Sequence, residues 1–337
     1  MKRRQFLLSA SMSVAGGIAL LNTTTAHAGI FSANKPARLQ KGDKVGVITP
    51  GSAMSSEDFK QALENIESLG LVPVPAKYAN TKYGFLGGTD FQRLSDLHQV
   101  FSDPQLKGVI CARGGYGTGR LLHNIDYDLI RRNPKVLLGF SDITALLNSI
   151  YKETGLVCFH GPVAASELTA FTKASLTGQL FEGAKLDLQA VDGYTIKGGA
   201  AQGKLVGGNL SLITSLMGTK YEMNLNKKVV IVEDVGESPY RVDRMLTQLV
   251  SSGALKNARG LVFGTFNGCD IDTDDPENAK EFTLKQVLKD RCVGLKIPVY
   301  YGMNFGHIDD NATLPIGIKV AFDANKGTLK SLEGAVK

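Results

Sequence analysis

The sequence predicts an α/β protein: an N-terminal parallel sheet covered by helices on both faces, followed by a second unit with strands of its own. Strand-like apolar runs alternate with helical stretches from Gly42 to about Ala170, which is typical of a parallel sheet built from successive βα units. The strand runs are apolar almost throughout, as strands buried on both faces are. A polar segment that ends Gly-rich, from Leu186 to Gly203, then separates a further group of strands.

The N-terminal elements begin with the β-rich run Lys44–Thr49, which ends at Pro50-Gly51-Ser52. Ser56 can cap the helix that follows, because its apolar residues recur at one-face spacing until Gly70. The remaining elements, in order, are a strand at Leu71–Val74, a helix near Asp90–Phe101, a strand at Gly108–Ala112, a short helix after Gly119, a strand at Lys135–Phe140 and a helical run at Asp142–Thr154.

The second unit contains the buried strand Lys228–Glu233 and a helix that opens at Ser238-Pro239 and closes at Gly253. Its further strands are Gly260–Phe266, Pro298–Gly302 and short β-structure from Gly317. The predicted organisation is therefore an N-terminal domain over 42–170, a boundary or linker over 171–203 and a C-terminal domain over 204–330.

Residues 1–28 are typical of a targeting segment. A basic start precedes the apolar stretch Phe6–Leu21, and Ala26-His27-Ala28 is a small-x-small cleavage site. Arg3-Arg4-Gln5-Phe6-Leu7 resembles the twin-arginine signal, which predicts export of the folded protein to the periplasm. An ordinary secretory signal is the alternative. Stable membrane insertion is not expected, because glycines and a polar run interrupt the apolar stretch before it reaches spanning length.

The charge and cysteine content exclude several classes of function. The chain of 337 residues has a net charge of +6, which falls to +3 without Lys2, Arg3 and Arg4, too little to indicate a nucleic-acid partner. No CxxC or HExxH spacing occurs, so neither a metal nor another cofactor is expected. The four cysteines are predicted to be unpaired core thiols, at Cys111, Cys158, Cys269 and Cys292.

Ser141 lies where the strand Lys135–Phe140 turns directly into a helical run. Such a turn exposes its residue at the carboxyl edge of the sheet, beside the free N–H groups of the helix start. A nucleophilic serine occupies this place in a nucleophile elbow, although Ile143 replaces the second glycine of G-x-S-x-G. The alternative is that Ser141 only caps the helix.

A serine nucleophile needs a base, and His160 and His307 both follow predicted strands, where active-site loops gather. Spacing alone does not choose between them. The base in turn needs an acid. Glu233 and Asp234 end the buried strand Lys228–Val232, where a carboxylate can be aimed at an imidazole or can instead pair with a nearby arginine.

The Gly-rich loop Arg113–Gly119 follows the strand Gly108–Ala112. It matches neither the dinucleotide-binding spacing nor a P-loop. Its exposed backbone N–H groups suit an oxyanion, and the alternative is a tight turn that needs glycine dihedrals.

Eight segments resemble, in order and spacing, the LD-carboxypeptidase family of serine peptidases: GDKVGVITPGS, ARGGYGTGRLL, LLGFSDITALL, HGPV, KLVGGNLSLI, IVEDVGESPYRVDR, FGH and LPIG. The resemblance implies a flavodoxin-like N-terminal half and a β-rich C-terminal half. It also implies Ser141 as nucleophile, Glu233 as acid and His307 as base, with backbone N–H groups of Gly115 and Asp142 as oxyanion donors. Substrate contacts are expected at Arg113, Tyr116, His160 and Asn209.

The function that the resemblance implies is release of a terminal D-amino acid from murein tetrapeptides, without a metal and commonly as a homodimer. There are two alternatives, of which the first keeps this catalytic machinery and changes the substrate, and the second lacks catalysis. Relatives similar to microcin-C immunity peptidases cleave aminoacyl-nucleotide conjugates. A periplasmic peptide-binding protein without catalysis is the other, although it would have no use for the set of Ser141, Glu233 and His307.

Overall fold

A computed structural model describes residues 34–272, 274–278 and 280–337. The predicted targeting segment, residues 1–28, lies outside the described residues. The first half runs through alternating strands and helices: β1 (Lys44–Ile48), α1 (Ser56–Ser68), β2 (Val72–Pro75), α2 (Asp90–Ser102), β3 (Leu106–Cys111), α3 (Tyr127–Arg132), β4 (Val136–Gly139), α4 (Ile143–Thr154) and β5 (Cys158–His160). Two short 3₁₀ turns lie between β3 and α3.

The second half is richer in strands. Its elements are α5 (Ala170–Thr177), β6 (Asp187–Gln189), β7 (Tyr194–Lys197), β8 (Ala200–Asn209), α6 (Leu210–Ser215), β9 (Lys228–Val235), α7 (Pro239–Ser251), β10 (Gly260–Asn267), α8 (Leu284–Cys292), β11 (Val299–Gly306), β12 (Leu314–Ile316), β13 (Lys319–Asp323) and β14 (Thr328–Ser331).

The first sheet has the strand order β12-β5-β4-β3-β1-β2. Strands β1 to β5 pair in parallel, and the order 2-1-3-4-5 is the flavodoxin-like one. The α/β prediction is therefore confirmed. The sixth strand, β12, comes from the far end of the chain and pairs antiparallel with β5.

The second sheet has eight strands in the order β6-β14-β13-β8-β9-β10-β11-β7. Its centre, β8 to β11, is parallel, and its flanking strands are antiparallel. The predicted boundary at 171–203 is not a bare linker, because it contains most of α5, a π-helical turn and the edge strands β6 and β7. How the chain divides into domains stays a prediction, since the described residues cluster as one compact unit.

Strand β9 is buried on both faces, and this decides where its acidic end points. Val229 and Ile231 belong to the apolar cluster shared with the first sheet. Val230 and Val232 belong to the cluster beneath α7 and α8. Because side chains alternate across a strand, the next residue, Glu233, faces the first sheet.

Helix α4 is bonded to strand β8, which links the two sheets. The Asn148 carboxamide donates to Gly207 O at 2.8 Å and accepts from Gly207 N at 3.1 Å. Thr144 Oγ1 accepts from Asn209 N at 3.0 Å. A Cβ on Gly208 would lie 2.5 Å from that hydroxyl oxygen, so the close approach requires glycine.

Most predicted elements occur within a few residues of their expected bounds, with two local differences. Ser55 caps α1 by accepting from Asp58 N at 3.0 Å, whereas the sequence indicated Ser56. Strand β11 continues to Gly306, so His307 follows it directly. The four cysteines are buried and free, as predicted.

Candidate active site

Ser141 lies in the turn between β4 and α4 with a φ of +63°. This left-handed conformation is unfavourable for any residue with a side chain. The same strained turn is typical of a nucleophile elbow. The helix-cap interpretation does not hold. The cap position belongs to Asp142, and no side chain caps the helix there.

Two backbone N–H groups near Ser141 point to an oxyanion site. Within the described ranges, the backbone N–H groups of Gly115 and Asp142 donate no hydrogen bond. Gly114 lies against Ser141, because a Cβ there would be 2.9 Å from Ser141 Cβ and 3.2 Å from its Oγ. Gly115 has a φ of +90°, so this loop needs glycine both for conformation and for close approach.

The Gly-rich loop is bonded to its neighbours on two sides. Ser52 N donates to Gly114 O at 3.0 Å, and Ser52 Oγ accepts from Tyr116 N at 3.0 Å. On the other side Asp142 Oδ2 accepts from Thr118 N at 2.9 Å, and Thr118 Oγ1 donates to Asp142 O at 2.5 Å. The loop is thereby fixed relative to the start of α4.

Arg93 is a positioning residue that the sequence analysis missed. Its side chain is only 1% exposed, and it donates to Pro50 O, to Gly117 O at 3.0 Å and to Asp90 at 2.6 Å. These bonds join the loop after β1 to the Gly-rich loop. The sequence did contain a sign of it, because Arg93 precedes the buried Leu97 and Val100 by one and two helical turns.

Glu233 and His307 form a buried pair. Glu233 Oε2 lies 2.7 Å from His307 Nδ1, and the carboxylate is fully buried. The carboxylate accepts, so Nδ1 carries the proton and Nε2 is left as the basic nitrogen. Burial raises the pKa of Glu233, and the hydrogen bond from His307 opposes that rise. Asn267 Nδ2 holds the backbone of His307 in place by donating to His307 O at 3.0 Å.

Asp234, the other acid at this strand end, faces the opposite side. Its carboxylate accepts from Asn209 Nδ2 at 2.9 Å, from Ser211 N at 2.9 Å and from Ser211 Oγ at 2.8 Å. Asn209 was expected to contact substrate, but it is 3% exposed and caps α6 by accepting from Leu212 N at 3.2 Å. In the structure Asn209 therefore joins the start of α6 to Asp234.

His307 lies beside the turn of Ser141. The ring of Phe140, the residue before Ser141, is 4.7 Å from the His307 ring between centroids. In the described part of the chain no hydrogen bond joins Ser141 Oγ to His307. Such contacts often tighten only when substrate binds.

His160, expected to contact substrate, is fully buried in the structure, and its contact with substrate stays a prediction. Its ring packs edge-on to Phe140 and Phe305 at 6.1 and 6.3 Å. Neither ring nitrogen has a hydrogen-bond partner among the described residues. Burial, together with the nearby His307, lowers the pKa of His160 to about 3. It is therefore a neutral core side chain between the segments that carry Ser141 and His307.

An open groove of about 790 Å³ lies beyond the carboxyl ends of β1, β2 and β3. Its wall begins at Ser52, which bonds to the Gly-rich loop, and includes the exposed Arg113 and Phe85. Tyr116 is 56% exposed and packs against Phe85 with ring centroids 5.7 Å apart. Arg113 and Tyr116 are thus accessible to a ligand.

The described residues contain no cluster of three or more His, Cys, Asp or Glu side chains able to hold a metal ion. Nor does any helix in the described ranges have the length and apolar character needed to cross a bilayer.

Known proteins resemble this chain over most of its length. The family model described as LD-carboxypeptidase N-terminal domain matches residues 45–161, and the model of the C-terminal domain matches residues 202–322. The "Probable murein peptide carboxypeptidase" of Bacillus subtilis is 40% identical over 308 residues, covering 89% of this chain and 95% of that protein. The murein tetrapeptide carboxypeptidase of Pseudomonas aeruginosa is 30% identical over 298 residues, covering 84% and 94%.

Solved structures agree on the fold. The crystal structure of muramoyltetrapeptide carboxypeptidase from Oxalobacter formigenes matches with a TM-score of 0.76 and 29% identity, covering 85% of this chain and 97% of that one. MccF in complex with glutamyl sulfamoyl guanosine matches with a TM-score of 0.82 over 90% of this chain and 99% of that one. Its 22% identity supports a shared fold alone.

Proposed function

The chain belongs to the LD-carboxypeptidase family, and we propose that it is a serine carboxypeptidase that hydrolyses the L,D bond before the terminal D-Ala of murein tetrapeptides. The observation that carries this proposal is the 2.7 Å pair of Glu233 and His307 beside the left-handed turn of Ser141. A hydrolytic serine needs such a base and a group that orients it.

The proposed reaction uses these positions. Ser141 Oγ attacks the carbonyl carbon before the terminal residue, and His307 Nε2 takes the hydroxyl proton. Glu233 holds the other nitrogen of the ring and stabilises the imidazolium. The N–H groups of Gly115 and Asp142 bind the oxygen on which negative charge develops. His307 then returns the proton to the leaving amine, and water cleaves the acyl-enzyme in a second pass through the same groups.

Mass spectrometry of tetrapeptide and pentapeptide muropeptides incubated with the purified protein tests this function. The expected product of the tetrapeptide is a tripeptide and one D-Ala. His307→Ala and Ser141→Ala should each abolish release, and the double variant should add little, because residues that act as one unit are non-additive. An intact tetrapeptide after incubation with wild type would contradict the proposal.

An aminoacyl-nucleotide conjugate belongs in the same assay, since several neighbours in fold are MccF structures. Cleavage of the conjugate in place of the peptide would assign that substrate class. Binding of peptide without any cleavage would favour the non-catalytic alternative.

We further propose that the protein is exported to the periplasm and forms a homodimer. The support for export is the sequence of residues 1–28. Replacing Arg3 and Arg4 with lysine should stop appearance of the mature protein, starting near Gly29, in the periplasmic fraction. Unchanged export would indicate the general secretory route. Light scattering of the purified mature protein measures the oligomeric state.

A further inference from the structure

The groove beside the Gly-rich loop lies at the point where the strand order of the first sheet reverses. It opens beyond β1 and β3, which lead in opposite directions to β2 and β4. Open α/β sheets hold ligands in the crevice at such a switch point. Its walls are the loops after β1 and β2 together with Arg113, which follows β3. This crevice is therefore the expected place for part of the substrate.

The charged side chains along the groove are all positive. Arg113 and Lys82 line it, and its other lining residues are neutral. Arg113 Nη1 donates to Ala53 O at 2.9 Å, which holds the guanidinium against the wall. No carboxylate in the described ranges forms an ion pair with either cation. The groove thus presents fixed positive charge to an anionic ligand.

Arg113 starts close to the nucleophile. It immediately precedes Gly114, where a Cβ would lie 3.2 Å from Ser141 Oγ. Consecutive Cα atoms are about 3.8 Å apart, so the Arg113 side chain begins one residue from the point of attack. The terminal carboxylate of a peptide cut at its last bond belongs to the residue next to the scissile carbonyl. It lies within reach of that side chain.

We propose that Arg113, with Lys82 beside it, binds the terminal carboxylate of the D-amino acid that is released. The proposal rests on the peptidase function above and adds the side chain that recognises the free C-terminus of the peptide. A guanidinium forms short, charge-assisted hydrogen bonds to a carboxylate and can make two in parallel. An internal peptide bond offers no carboxylate at this position, so the groove favours removal of one terminal residue.

The test compares a tetrapeptide that has a free terminal carboxylate with the same peptide ending in a carboxamide. Wild type should prefer the acid, and Arg113→Met should lower the ratio of the two kcat/KM values about 30-fold, the effect of a hydrogen bond to a charged group. This ratio does not depend on the fraction of folded enzyme. Arg132→Met is the matched control, because Arg132 is exposed at the end of α3 and does not line the groove. It should leave the ratio unchanged.

A third peptide, in which an internal carboxylate is amidated and the terminal one is free, shows which of the two carboxylates Arg113 recognises. If Arg113→Met changes the preference for this internal group and not for the terminal one, the assignment to the chain end is wrong. Equal loss on acid and amide would also overturn it.

Calorimetric binding of acid and amide to Ser141→Ala, with and without Arg113→Met, separates recognition from catalysis. Acid-selective binding that Arg113→Met removes, without cleavage by wild type, would overturn the peptidase function alone. Cleavage of acid and amide at equal rates would overturn only the carboxylate assignment. If peptides are neither bound nor cleaved, both are wrong.

Discussion

Replacing Ser141 with glycine and with alanine separates the stability of its turn from its chemistry. The φ of +63° places a side chain in the left-handed region at a cost of about 1–2 kcal/mol. Glycine avoids this cost but loses about 0.4–1 kcal/mol through its more disordered unfolded chain. We therefore expect Ser141→Gly to be more stable than Ser141→Ala by about 0.5–1 kcal/mol.

Urea unfolding of the mature protein measures this difference through the midpoint at constant slope. Both variants should lose about a million-fold in kcat, as triad serines do. The matched control is Lys227, the other non-glycine residue with positive φ in the described ranges, at +57°. Lys227→Gly and Lys227→Ala should show the same order of stability while keeping turnover, because Lys227 is exposed and outside the site.

Two results would refute this reasoning in different ways. If Ser141→Ala is as stable as Ser141→Gly, the turn stores no strain. If either variant keeps turnover, Ser141 is not the nucleophile.

The remaining predictions concern close packing and pH. Gly114→Ala should lower kcat by about 100-fold or more, because its Cβ would lie 2.9 Å from Ser141 Cβ and would displace the neighbouring proposed oxyanion donor, the N–H of Gly115; an unchanged kcat would contradict that contact. Because burial lowers the pKa of His160 to about 3, below its unfolded value of about 6.5, the unfolded chain takes up this proton first. Stability should fall by up to about 1.4 kcal/mol per pH unit below pH 6.5, and His160→Leu should flatten that loss in urea titrations; a slope that persists would assign it to other groups. Burial raises the pKa of Asp96 to about 6, above its unfolded value of about 3.9, so this carboxyl lowers the stability of the fold as pH rises from about 4 to 6. Asp96→Asn should remove this loss of stability with rising pH, and an unaltered pH profile would refute the assignment.

The fold of the N-terminal half could be predicted because its elements are encoded locally. Apolar runs such as Lys44–Ile48 and a one-face helix pattern such as Ser56–Ser68 are visible in a few consecutive residues. The edge strands Asp187–Gln189 and Tyr194–Lys197 were missed because they are short and only partly buried. The pairing of Leu314–Ile316 with Cys158–His160 joins residues more than 150 positions apart, and no local pattern encodes such a contact.

The site could be predicted only in part, for the same reason. The turn of Ser141 and the acidic end of β9 are local features, and both were identified. The choice between His160 and His307 depended on family resemblance, because the pairing of an imidazole with a carboxylate depends on which strands become neighbours. In the structure Glu233 meets His307, whereas His160 is enclosed by aromatic rings.

The alternation of side chains along β9 explains why Glu233 and Asp234 have different partners although they are adjacent. Glu233 continues the face of Val229 and Ile231, toward the first sheet, and Asp234 continues the face of Val230 and Val232. A slip of one residue would exchange the two faces. The bonds from Asn148 to Gly207 N and O fix β8 relative to α4. Strand β8 pairs with β9 in a register that sets Asn209 opposite Glu233. The helix that begins beside Ser141 therefore also fixes the register that aims Glu233 at His307, so Ser141 and Glu233 are aligned by one set of contacts.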